Sequence, residues 1–148
     1  MENCPDFKEW LELLNEKKVK YVIVGAHALA FYGHPRSTGD LDILIEAGEE
    51  NAHKIIDVMD KFGVASLGWT VKDLLEKDSV IQIGVAPVRI DIINSLTGVS
   101  WTEIDSGKVK GFYENIQVFY IGRKEFIKNK LALGRKKDWA DLEALGEG

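Results

Sequence analysis

The sequence predicts a mixed α/β fold: one domain built on a small, partly antiparallel β-sheet, with helices packed mainly on one face. Three observations carry this. Apolar residues recur at helical spacing near both ends of the chain. Short runs rich in Val and Ile, bounded by Gly, Pro or Asn, occupy the middle. The two kinds of segment alternate. The chain has 148 residues, 45% hydrophobic and 29% charged, which suits a single domain over 1–148 with its own core. No internal repeat, low-complexity tract or linker interrupts it.

The elements follow in order. Asp6 is placed to cap a first helix in which Phe7, Trp10, Leu11 and Leu14 share a face. The run "YVIVG" from Tyr21 reads as a buried strand ending at Gly25, and "AHALAFYG" as a helix closed by Gly33. A loop from His34 to Gly39 leads to a strand over Asp40 to Glu46. A helix over Glu49 to Phe62 sets Ala52, Ile55, Ile56 and Met59 on one side. Thr70 caps a short helix in "TVKDLLEK". "SVIQIGV" and "VRIDIIN" read as a hairpin through Ala86-Pro87. "KVKGFYENIQVFYI" reads as a second pair turning at Glu114-Asn115. The end is helical, in "RKEFIKNKLALG" and "KKDWADLEALG", where Trp139, Leu142 and Leu145 have core spacing.

Composition excludes several classes. A net charge of −5 argues against coating nucleic acid by bulk electrostatics, although a few basic residues can still grip one nucleotide. Cys4 is the lone cysteine, so an internal disulfide and a cysteine zinc site are ruled out, and the three histidines are not spaced for zinc. The longest apolar runs are strand-sized, and no signal-peptide pattern is present, which predicts a cytoplasmic protein with no membrane partner.

The strand "GDLDILIE" carries the chemistry. Side chains alternate along a strand, so Asp40 and Asp42 share one face while Leu41, Ile43 and Ile45 share the other. Strands disfavour Asp, and like charges so close repel. A hard divalent cation with oxygen ligands, Mg²⁺ above all, would relieve that repulsion. Asp91 in "RIDII" is a third acid among strand-like apolar residues. If its strand neighbours that of Asp40, three carboxylates converge. That is enough for two metal ions ~3.5–4 Å apart, the arrangement that serves in-line phosphoryl chemistry. The bland alternative is a turn cap at Asp40 and a solvated Asp42.

The preceding strand–Gly–helix turn offers the second half of a site. Gly25 allows a tight turn and close approach of a ligand to the backbone, and the helix that follows presents N–H groups to a phosphate. Phosphate on the turn and metal on the aspartates describe a nucleoside triphosphate with Mg²⁺. Arg36, just upstream of the aspartates, reads either as a phosphate fork or as a surface ion pair. His27 reads equally as a phosphate or acceptor contact and as a packed ring. His34 and His53 read as loop and solvated-helix positions.

The stretch "VGAHALAFYGHPRSTGDLDILI" resembles the minimal nucleotidyltransferases of the DNA polymerase β superfamily, whose Gly-Gly or Gly-Ser turn opens a helix ahead of an Asp-x-Asp strand. It is most similar to the small branch related to abortive-infection toxin nucleotidyltransferases, which carries Arg-x-Thr before the aspartates, here Arg36 and Thr38. The C-terminal "KLALGRKKDWADL" fits the same branch. The resemblance implies a nucleotidyltransferase fold and Mg²⁺-dependent transfer of a nucleoside monophosphate from a triphosphate such as ATP. The acceptor hydroxyl is left open: an RNA end, a protein or a small molecule. It further implies Asp40, Asp42 and Asp91 as metal and catalytic residues, with Gly25, Ala26, His27, Arg36, Thr38 and Lys130 toward the nucleotide. Lys130 matches the lysine that this branch uses near the triphosphate, and Asp138 and Asp141 match its last acidic motif. Ala26 departs from the usual Gly or Ser and removes a hydroxyl that some members offer. Two other functions stand beside transfer: a non-catalytic nucleotide- or protein-binding relic, for instance one half of a toxin–antitoxin pair, and Mg²⁺-dependent phosphate hydrolysis. The short chain predicts that a second subunit helps hold the acceptor, either a homodimer or a cognate partner protein.

Overall fold

A computed structural model of the chain describes residues 6–34, 39–85 and 88–146. In chain order the elements are α1 (Phe7–Glu16), β1 (Tyr21–Val24), α2 (Gly25–Phe31), β2 (Asp40–Ile45), α3 (Glu49–Phe62), α4 (Val71–Leu75), β3 (Val80–Val85), β4 (Val88–Ile93), α5 (Trp101–Gly107), β5 (Val109–Tyr113), β6 (Ile116–Tyr120), α6 (Arg123–Leu133) and α7 (Lys136–Ala144). Most elements match the sequence pattern, because their signals are local. Asp6 accepts from the Glu9 N–H at 3.0 Å and starts α1. Thr70 and Asp73 form a reciprocal capping box on α4. Gly63 closes α3 in the left-handed region at φ 90°.

The six strands form one mixed sheet in the order β3-β4-β2-β1-β6-β5. β1 runs antiparallel to β2 and parallel to β6, whereas β2 runs parallel to β4. Both expected hairpins, β3–β4 and β5–β6, are antiparallel. This topology puts the C-terminal end of β1 beside the N-terminal ends of β2 and β4. Val24 lies opposite Asp42, and Asp42 lies opposite Asp91. Leu41, Ile43 and Ile45 are fully buried on one face of β2. Leu44, on the aspartate face, is buried as well. The edge strands β3 and β5 carry exposed Val80 and Phe112.

The structure departs from the sequence reading at three places. Helix α5 is absent from the sequence reading. Its start was nonetheless legible: Ser100 caps the Glu103 N–H at 3.2 Å, and Glu103 reaches back to the Ser100 N–H at 3.2 Å. Trp139 has core spacing on paper but is 48% exposed. The inward face of α7 is set by Asp138, Asp141 and Leu142, and the two acids meet Lys130. Successive helical residues turn by about 100°, so Trp139 is rotated out beside Asp138. Ile56 is only half-buried on α3, and Val58 takes the inward position with Ile55 and Met59. Among the described residues no helix is long and apolar enough to cross a membrane.

The α7 geometry predicts unequal truncations. Trp139→Ala should cost less than about 1 kcal/mol in urea denaturation, whereas Leu142→Ala should cost about 2–5 kcal/mol. Equal losses would contradict the helix orientation.

Candidate active site

The three acids come together through strand register. β2 and β4 are parallel neighbours, with Asp40 opposite Arg89 and Asp42 opposite Asp91. Paired positions on adjacent strands project to the same side of a sheet, so all three carboxylates and Arg89 share one face. Asp91 is buried; Asp40 and Asp42 are half-buried.

Arg89 is the residue that sequence reading missed. Its Nε donates to Asp91 Oδ1 at 2.8 Å and its Nη2 to Asp91 Oδ2 at 3.3 Å. Nη2 also lies 3.4 Å from Asp40 Oδ2. One guanidinium therefore bridges the first and third acids. Its spacing two residues before Asp91 is the only signal the sequence carried, and that becomes informative only once β2 and β4 are known to pair.

Asp42 has the most perturbed chemistry. Burial, then the charge of Asp91, a hydrogen bond shared with Asp91 and the charge of Asp40 push its pKa from 3.8 up to about 7; Arg89 opposes this. The Asp42 carboxyl thus holds its proton to higher pH than an ordinary carboxylate, because it is buried beside two other acids.

Gly25 fits this pair closely. It sits at φ 68°, and a Cβ there would lie 3.1 Å from Asp42 Cγ with Oδ2 nearer still. The turn and the carboxylate occupy one space, so a side chain at position 25 would displace Asp42. Ala26 and His27 follow in the first turn of α2. The His27 ring packs 5.9 Å from Phe7 and 6.0 Å from Tyr113. Its Nε2 is buried with no hydrogen-bond partner among the described residues. Burial lowers its pKa below 6.5, against a smaller upward pull from the Asp40 backbone and charge.

Lys130 belongs to a second charged cluster. Its Nζ lies 3.3 Å from Asp138 Oδ1 and 3.2 Å from Asp141 Oδ2, and 5.2 Å from the Phe126 ring centre. Arg135 donates from Nε to Asp138 Oδ2 at 2.7 Å, and its backbone N–H reaches the same oxygen at 3.1 Å. These contacts, Arg135 first, hold the Asp138 carboxyl down at about 2. Asp138 is thus both a helix N-terminal charge and an ion-pair partner of two basic residues. Arg36 and Thr38 lie outside the described residues.

Among the described residues no group of three or more His, Cys, Asp and Glu side chains stands in ready coordination geometry. The donor chemistry, three carboxylates on one sheet face, is nevertheless of the kind that a hard cation takes. The Arg89 guanidinium lies against two of them, Asp40 and Asp91.

No protein-family model and no curated protein matches the sequence. Solved structures do. A proposed nucleotidyltransferase from Thermotoga maritima aligns with a TM-score of 0.62 at 15% identity, over 93% of this chain and 88% of that one. The chain has a nucleotidyltransferase fold. The lincosamide antibiotic adenylyltransferase LnuA, in its lincomycin-bound form, shares it with a TM-score of 0.57 at 15% identity, over 97% of this chain and 98% of that one. The nucleotidyltransferase fold expected from "VGAHALAFYGHPRSTGDLDILI" is thereby borne out.

Two outcomes follow from the site geometry. The raised pKa of Asp42 means that the folded state binds its proton more tightly than the unfolded state does. That stabilisation is complete below the unfolded value of 3.8 and is lost as pH rises through about 7. His27 acts oppositely, since its lowered pKa costs stability as pH falls below 6.5. Subtracting the Asp42→Asn profile from wild type should isolate a stability term that declines from about pH 4 to about pH 7; a flat difference in urea titrations would refute it. Gly25→Ala should lose about 1–2 kcal/mol for the left-handed backbone alone. It should also erase that pH term, because Asp42 has to move.

Proposed function

We propose that this chain is a nucleotidyltransferase that moves a nucleoside monophosphate from a triphosphate to an acceptor hydroxyl. The observation that carries the reading is the register of Asp42 on Asp91, with Asp40 one step along and Gly25 closed against Asp42, all on a nucleotidyltransferase fold.

Asp40, Asp42 and Asp91 would hold Mg²⁺, two ions during the reaction, which supplies Lewis-acid activation of the reacting phosphate and the acceptor oxygen. The chain's own groups do the rest. Gly25 brings the backbone close to the phosphates, and the N–H groups of Ala26 and His27 line them. Asp91 accepts the proton of the acceptor hydroxyl as that oxygen attacks the α-phosphorus. Pyrophosphate leaves as the new phosphoester forms. Lys130 is assigned to the negative charge that grows on pyrophosphate; Asp138 and Asp141 hold it as a fixed cation. Arg36 and Thr38 are assigned to the nucleotide by the same reading.

ATP is the first donor to test. The acceptor is an RNA end, a protein or a small molecule, and the lincosamide named for one structural neighbour places antibiotics in the screen. A cytoplasmic setting, a homodimer or cognate partner, and membership of the toxin-related branch with a toxin–antitoxin pairing complete the proposal.

The test is label transfer. Pure protein, Mg²⁺ and each α-labelled triphosphate are incubated with total RNA, protein extract or lincosamides. Wild type should label one acceptor class, and Asp42→Asn should lower the rate at least about 100-fold, as loss of a metal ligand does. Mg²⁺-dependent nucleotide binding without transfer to any acceptor would favour a binding relic. Release of free phosphate alone would favour hydrolysis.

A further inference from the structure

We propose that Arg89 is a built-in counter-cation of the carboxylate site, which makes metal loading depend on a triphosphate arriving with the metal. This rests on the metal-site reading above and adds how that site is loaded. The fork of Arg89 engages both oxygens of Asp91, at 2.8 and 3.3 Å, and reaches Asp40 Oδ2 at 3.4 Å. A hard divalent ion needs oxygens from the same two residues. Metal and guanidinium therefore compete for one set of lone pairs.

Backbone and side chain divide the labour. The Arg89 N–H donates to the Gly39 carbonyl at 3.0 Å, which fixes the strand beside Asp40. The side chain is 27% exposed, so its guanidinium can leave the carboxylates for solvent without opening the core. A partly exposed ion pair is weak enough to be exchanged.

Metal alone must break the bridge and leave a guanidinium beside a dication. Metal carrying a triphosphate meets a different balance. The released fork is still on the sheet face to which the proposed site assigns the phosphates, which are acceptors of the bidentate kind that Arg prefers. Each ligand thereby favours the other, and the coupling is reciprocal.

Mn²⁺ serves as the probe, with free ion read by electron paramagnetic resonance. Binding is measured with and without each of the four α,β-methylene nucleoside triphosphates. Wild type should bind Mn²⁺ weakly alone and more tightly with nucleotide. Arg89→Gln should bind Mn²⁺ alone about tenfold tighter than wild type, and its enhancement by nucleotide should shrink by a similar factor. Arg89→Lys, which keeps the charge and loses the fork, should fall between. Asp42→Asn reports whether binding belongs to this site. If binding vanishes in Asp42→Asn while Arg89→Gln leaves either quantity unchanged, the Arg89 inference is overturned and the metal site stands. If no form shows Asp42-dependent Mn²⁺ binding under any condition, the metal-site reading fails and takes this inference with it. Thermal melts of the Arg89 variants confirm that each is folded before titration.

Discussion

Parallel pairing of β2 with β4 sets Asp42 against Asp91 and Asp40 against Arg89. Much of what distinguishes this chain from an ordinary α/β domain follows from that register. A slip of one residue would send the acids to the opposite face, among Leu41, Ile43 and Ile45. The apolar set that locks the register is therefore also what holds the carboxylates together. Packing supplies a stabilisation large enough to tolerate an arrangement that electrostatics alone would disperse. The acids respond in two ways: Asp91 takes a guanidinium, and Asp42 keeps a proton up to about pH 7. Both reduce the negative charge that the register concentrates.

The C-terminal helices solve a similar problem differently. Asp138 and Asp141 are buried, yet each meets Lys130, and Asp138 also meets Arg135. Here opposite charges alternate in space. Such a network contributes little net stability while intact, but losing one member would strand a buried charge. It fixes α7 on α6 in one rotation, with Trp139 facing solvent. The C-terminal cluster thus pairs its acids with bases, whereas the strand site has three acids to the single guanidinium of Arg89.

How much of this was legible in the sequence depended on the range of each signal. Strands β1 to β4 and helices α1, α3 and α4 announced themselves by period and cap, which are local properties. The Asp40/Asp42 pair was visible for the same reason, and Asp91 could be named as a candidate from its apolar surroundings. The pairing of β2 with β4 is not local, so the convergence of Asp91 was conditional until the sheet order was known. Arg89 was marked in the sequence only by its spacing two residues before Asp91, and its role exists only across the strand gap. Trp139 misled because period reports apolar spacing, whereas buried ion pairs decided the rotation of α7. Helix α5 was missed despite its Ser100–Glu103 box, since a seven-residue helix offers too few turns to show a period.

The contact between Gly25 and Asp42 has a use in sorting unfamiliar genes. An Asp-x-Asp strand alone is a weak signal. A glycine at the end of the preceding strand is common too. In this chain the two are one spatial requirement, because the space that a methyl group at position 25 would fill is already taken by a carboxylate oxygen. A distant relative that retains its aspartates but bears a side chain at the turn would be expected to hold them elsewhere. The joint occurrence of the two is thus a sharper marker of this arrangement than either alone, and it can be scored in sequences too divergent to align along their whole length.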